Sequence, residues 1–200
     1  MHSMRILVGI ILLFRKAINR IMWSYYKSLF ASCGEDVSFC PDKSEFWYSN
    51  IYLGNHVQIG NGAVFMASNS EIHVADNVLF APNVTIIGGN HSSHIVGKFL
   101  KDYKITDKRP ADDESVFVDT DVWVGTGVII LKGVRIGRGA IVAAGSVVNK
   151  SLPPYSISAG VPAKVLKFRW DIADIIKHEA ILYQENERFS EKDLMRMLKI

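Results

Sequence analysis

Cysteine is scarce: Cys33 and Cys40 are the two thiols in 200 residues. They make no disulfide framework and have no CxxC partner for a metal, so they read as buried or incidental thiols of a reducing compartment. Long apolar runs are missing too. The run from Ile6 to Phe14 covers nine residues, short of the roughly 20 that span a bilayer. It meets Arg15-Lys16 without the small-residue cleavage site of a secretory leader, so the expected location is cytoplasmic. Net charge is only +3, too little to draw nucleic acid. Acidic residues are absent from positions 1–30, where Arg5, Arg15, Lys16, Arg20 and Lys27 accompany Trp23, Tyr25, Tyr26 and Phe30. That segment reads either as a basic amphipathic helix in peripheral contact with an anionic membrane face, or as a helix capping the open end of the fold that follows.

What the chain has instead is a six-residue period. Between Val116 and Val148, strand triplets alternate with turn triplets: Val122-Trp123-Val124 and Gly125-Thr126-Gly127, Val128-Ile129-Ile130 and Leu131-Lys132-Gly133, Val134-Arg135-Ile136 and Gly137-Arg138-Gly139, Ala140-Ile141-Val142 and Ala143-Ala144-Gly145. The outer residues of each strand triplet share one face because strand side chains alternate. The turn triplets end on Gly, which enters the left-handed region most cheaply. An earlier block, Ile51 to Ile86, keeps the register and closes its turns on His56, Gly62, Asn77 and Asn83. The period predicts a solenoid of triangular coils.

The register slips twice. Three extra residues between Phe65 and Ile72 predict a bulged corner, and a larger excess between Ile86 and Val116 predicts a loop over about 91–115. Loops of that length are usually functional. Beyond Pro153-Pro154 the tail is predicted helical. One helix starts near Asp171 and turns Ile172, Ile175, Ile176 and Tyr183 inward and its charges outward; a second is capped by Ser190 with Asp193. The expected organisation is a helical segment at 1–32, the solenoid at 33–169 and a helical tail at 170–200.

Three stretches carry a resemblance: Ala81-Pro82-Asn83-Val84-Thr85-Ile86 leading to Asn90-His91; Asp121-Val122-Trp123-Val124-Gly125-Thr126; and Gly145-Ser146-Val147-Val148 through Pro153-Pro154 to Ala159-Gly160-Val161-Pro162-Ala163-Lys164. Together they resemble the hexapeptide-repeat acetyltransferases, above all the maltose, galactoside, capsular-polysaccharide and xenobiotic O-acetyltransferases. The match runs from about Val37 to Arg169. The resemblance implies an all-β, left-handed parallel β-helix, a homotrimer, and acetyl-CoA as acyl donor in a groove between neighbouring subunits, with no metal.

It also implies a catalytic histidine at His91, where the chain enters the long loop. Neutral imidazole is suited to take a hydroxyl proton near pH 7. Family positions for the coenzyme fall on Trp123, Thr126, Ala144, Asn149, Lys150, Lys164 and Lys167. The small residues Gly125, Thr126, Ala143, Ala144 and Gly145 leave the backbone open to a pantetheine arm, and the lysines offer point charges to phosphate. His94 is expected to contact the acceptor; His56 and His73 are expected to face outward from the coils. In the sugar acetyltransferases an acceptor-holding asparagine falls near Gly62, where Asn61 stands off register, and the long loop exceeds that of the maltose and galactoside enzymes. These departures fit a polysaccharide-building glycoside better than a free mono- or disaccharide, with an antibiotic hydroxyl as the alternative. Two other classes compete. A γ-class carbonic anhydrase would bind zinc through three histidines, for which His56, His91 and His94 are the candidates, though the last two open a loop. A non-enzymatic scaffold would have no use for the small-residue groove.

Overall fold

The computed structural model describes residues 21–198, with positions 9 and 18; the rest of the basic segment at 1–20 lies outside the described residues. Short strands wind into a triangular solenoid with three walls. Sheet A stacks β1 (Ser32–Cys33), β3 (Ile51–Leu53), β6 (Ile72–Val74), β9 (Val116–Val118) and β12 (Arg135–Ile136). Sheet B stacks β4 (Gln58–Ile59), β7 (Leu79–Phe80), β10 (Trp123–Val124), β13 (Ile141–Val142) and β15 (Ser156–Ala159), then β16 (Lys164–Phe168). Sheet C stacks β2 (Glu45–Phe46), β5 (Val64–Met66), β8 (Thr85–Ile87), β11 (Ile129–Leu131) and β14 (Val147–Val148). Neighbours pair in parallel except β15 and β16. The chain is an all-β left-handed parallel β-helix with helices at its ends.

The predicted inward residues fill the solenoid. Val122, Val124, Val128, Ile130, Val134, Ile136, Ala140, Val142 and Val148 are all buried, and each larger aliphatic side chain so placed stabilises the fold by about 1.5–3 kcal/mol. The lower coils use aromatics instead: Phe46 meets Phe65 at 5.4 Å and Phe65 meets Phe80 at 5.2 Å between ring centroids. Residues 21–29 form helix α1. Trp23 and Tyr26 pack on Phe39 and Tyr48, and Phe30 just beyond the helix is buried among Phe39, Phe46 and Tyr48. This part of the N-terminal segment covers the open end of the solenoid, as a cap should. Burial, with Tyr26 alongside, pushes the Tyr48 phenol up to about 12.

The corners form columns. Between sheets A and B, the left-handed position is filled in successive coils by Asp36, His56, Asn77, Asp121, Gly139 and Tyr155. Between sheets B and C the column is Gly62, Asn83, Gly127, Gly145 and Gly160, so its upper part is glycine alone. Both insertions leave by the third corner, between C and A. The bulge after β5 and the loop after β8 are tied at their feet: the Asn69 amide donates to Asp113 at 3.3 Å, and the Ser70 hydroxyl donates to the carbonyl of Gly88 at 2.8 Å.

The tail folds into helix α2 (Ile172–Leu182) and helix α3 (Glu191–Leu198). Asp171 caps the first by accepting from the Asp174 N–H at 2.9 Å, and Ser190 caps the second by accepting from the Asp193 N–H at 3.1 Å. One expectation fails here. Charges do not all face outward on α2: Ile175 and Glu179 are the buried residues, while Ile176 is 37% exposed. Glu179 is held inward by Arg138, which donates to its carboxylate at 3.0 and 3.2 Å, and by the Tyr155 hydroxyl.

Candidate active site

Where β8 ends, the chain leaves the solenoid at Gly88 and returns to β9. The base of this loop is a short antiparallel ladder: Gly89 pairs with Asp113, the Asn90 N–H donates to the Asp112 carbonyl at 2.8 Å, and the Glu114 N–H donates to that of Gly88 at 2.9 Å. His91 follows the last rung. Its neighbour Ser92 is only 2% exposed and donates to the Asp112 carboxylate at 2.6 Å. Asp112 also accepts from the Arg109 N–H at 2.9 Å and from its guanidinium at 3.2 Å. These donors, Ser92 first, hold the Asp112 carboxyl well below the usual carboxylate range. The staple therefore stays ionised at neutral pH and fixes the backbone that carries His91.

His91 is exposed and has no side-chain hydrogen bond among the described residues. It lines a cavity of about 410 Å³ with Trp47, Met66, Ile87, Asn90, Lys108 and Asp113. Lys108 donates to both oxygens of Asp113, at 2.6 and 2.7 Å. Sequence reasoning missed Trp47, Lys108 and Asp113 because they come from a lower coil and from the far leg of the loop. His94 sits farther along the loop, edge-on to Tyr103 at 6.0 Å, and is not part of this cavity's wall.

The predicted coenzyme residues fall into two groups. Gly125-Thr126-Gly127 and, one coil on, Ala143-Ala144-Gly145 form the corner between sheets B and C. Their stacking is close, since a Cβ on Gly125 would stand 2.6 Å from the backbone nitrogen of Ala144, yet the outer side is open, with nothing within 4 Å of a Cβ on Gly127 or Gly145. Thr126 and Ala144 are exposed there. Trp123 is 51% exposed on the outer face of sheet B, between Leu79 and Ile141. Lys164 and Lys167 lie exposed on β16 at the edge of the same sheet. This surface fits a coenzyme: bare backbone at the corner, an apolar column beside it and cations at the end.

Asn149 and Lys150 do not join that group. They follow β14 and so occupy the corner between C and A, on the side of His91. Asn61, the expected acceptor contact, lies on the corner between B and C, where its carbonyl accepts from the Asn83 N–H at 2.8 Å. Because the strands of sheet C run parallel, every residue before a strand stands at one edge and every residue after it at the other. His91 and the Thr126 corner are thus at opposite edges of sheet C within one chain. His56 belongs to yet another corner, where it contacts Asp36 at 3.3 Å, so the histidines His56, His91 and His94 do not converge within the chain. His73 faces outward, stacked between Tyr52 and Phe117.

The chain matches known proteins in keeping with this architecture. The family model described as bacterial transferase hexapeptide (six repeats) matches residues 116–150. The galactoside O-acetyltransferase of Escherichia coli (strain K12) is 31% identical over 156 residues, covering 78% of this chain and 70% of that protein. Among solved structures, a galactoside acetyltransferase in complex with coenzyme A superposes with a TM-score of 0.65 at 28% identity, over 84% of this chain and 76% of that one. A hexapeptide-repeat acetyltransferase from Vibrio cholerae O1 biovar eltor, complexed with acetyl coenzyme A, gives 0.64 at 28% identity, over 76% and 79%. The chain belongs to the hexapeptide-repeat acetyltransferases and is an acyltransferase.

Proposed function

We propose that the chain transfers acetyl from acetyl-CoA to a hydroxyl of a sugar in a polysaccharide precursor, working as a homotrimer in the cytoplasm. The observation that carries this reading is the placement of His91. It is exposed, has no side-chain hydrogen bond among the described residues, lines a walled cavity braced by the Ser92–Asp112 staple, and stands a full sheet width from the small-residue corner at Thr126 and Ala144. A second chain resolves the separation: His91 of one subunit faces the Thr126 and Ala144 corner of the next, with Asn61 on that same corner. In a cyclic trimer each interface is heterologous, so each supplies one such pairing.

The thioester supplies an acyl group already activated toward an oxygen nucleophile. His91 takes the proton from the acceptor hydroxyl as that oxygen bonds to the acyl carbon, and returns it to the sulfur as the carbon–sulfur bond breaks. Lys164 and Lys167 hold phosphate. Proximity of two bound substrates replaces any covalent enzyme intermediate. The loop tip exposes Val96, Phe99, Leu100 and Ile105, which favours an acceptor with an apolar portion, a lipid-linked glycoside above all; an antibiotic hydroxyl is the second reading on the same ground. Initial-rate kinetics test the direct transfer. Varying acetyl-CoA at several acceptor concentrations is expected to give intersecting reciprocal plots, and parallel plots, the mark of an acetylated enzyme, would contradict it.

A further inference from the structure

Beside His91 the cavity is built from two unlike halves. One half is aromatic and apolar: Trp47, Met66 and Ile87. Phe46 is buried in the core, so Trp47 next to it points out of the coil, 37% exposed. Its backbone is fixed, since its N–H donates to the Phe65 carbonyl at 3.0 Å and its carbonyl accepts from Asn50 at 3.1 Å. Among the described residues no other aromatic ring stacks on the indole, although aromatic pairs fill the coil beneath it.

The other half is an ion pair. The Asp113 carboxylate takes two hydrogen bonds from Lys108 and a third from the Asn69 amide. A carboxylate has about four acceptor sites and an ammonium three donors, so by count the pair has one acceptor and one donor left for a ligand. Two adjacent hydroxyls, one giving and one accepting, match that arrangement. The pair is also neutral overall, so it offers a charged sugar no net attraction. The volume, about 410 Å³, lies within the range of small-molecule sites.

We propose that this cavity is a subsite for one neutral pyranose unit of the acceptor, with Trp47 stacking on the apolar face of the ring and Lys108 with Asp113 gripping two vicinal hydroxyls. The proposal rests on the acetyl-transfer reading above and deepens it. A hydroxyl of a ring so held lies in the same cavity that His91 lines. A uronic acid in the same place would bring a carboxylate against Asp113.

The test uses the full chain with methyl β-D-glucopyranoside, methyl β-D-galactopyranoside and methyl β-D-glucuronide. Binding is followed by ligand-observed NMR without acetyl-CoA, and acceptor KM by acetyl transfer. At least one neutral glycoside is expected to bind, and the glucuronide more weakly. Trp47→Ala is expected to raise KM for the neutral glycoside about tenfold with a smaller change in kcat, and Trp47→Phe, which keeps a ring face, to stay within about threefold of the parent. The idea is overturned if no neutral glycoside binds, if the glucuronide binds more tightly, if Trp47→Ala leaves binding and KM unchanged, or if Trp47→Phe is as damaging as Trp47→Ala. The binding arm separates this proposal from the assignment of His91. Trp47-dependent binding upholds the subsite even where turnover refutes His91 as the base.

Discussion

His91→Ala is expected to lower acetyl transfer by about 100-fold or more, the usual share of a general base, while assembly and acetyl-CoA binding persist. The imidazole makes no hydrogen bond among the described residues and is exposed, so its removal takes little from the fold. What it removes is the acceptor of the hydroxyl proton. His91→Gln should fail equally, because an amide of similar size does not take a proton near neutral pH. Steady-state turnover with a responsive acceptor, set beside calorimetric acetyl-CoA binding, separates the two effects. Near-normal turnover in either variant would remove His91 from the chemistry.

The largest expected loss of stability lies at the other end of the molecule. Glu179 is fully buried on α2 and accepts from Arg138, from the Tyr155 hydroxyl and, at 3.1 Å, from the Phe189 N–H. Arg138 also covers the rings of Tyr183 and Phe189, at 4.2 and 4.8 Å from their centroids. Burial, and then the neighbouring Glu179, raise the Tyr155 phenol far above its ordinary range, so it remains a donor. Arg138→Ala leaves a carboxylate in the interior without its cation, which costs about 3–5 kcal/mol. Urea unfolding followed by circular dichroism reads the change. Adding Glu179→Gln to Arg138→Ala should recover part of it, because the neutral side chain carries no charge to desolvate. A loss below about 1 kcal/mol for Arg138→Ala would mean that the pair does not hold the tail to the solenoid.

How far the residues themselves announced this structure follows from the range of each interaction. The hexads are local: a triplet such as Val128-Ile129-Ile130 states its own register, and Gly127 or Gly133 states its own corner. The solenoid, the bulge after Phe65, the long loop, the helix start near Asp171 and the Ser190 cap were legible for that reason. The place of His91 at the departure of the loop was legible because the register breaks there; a role for it as the base came only with the family resemblance and remains part of the proposal. Trp47, Lys108 and Asp113 were not legible, since they come together only when a lower coil and the returning leg of the loop meet at one corner. Glu179 was misread because its partner Arg138 lies 41 positions earlier in the chain, beyond any helical periodicity. The wide separation of Asn149 and Lys150 from Thr126 also escapes a linear reading, because adjacent hexads turn onto different walls.

The central claim, a site assembled from His91 of one chain and the Ala144 corner of the next, has a direct measurement. Ala144→Phe should block the corner, since the exposed alanine stands where bare backbone is needed, and His91→Ala should remove the base; each variant alone is inactive. Co-refolded in equal amounts as mixed trimers, they are expected to regain roughly a quarter of the parent activity, because a quarter of the heterologous interfaces then pair an intact His91 with an intact corner. If the mixture stays as inactive as its components although mixed trimers form, base and corner serve within one chain and the shared site is wrong.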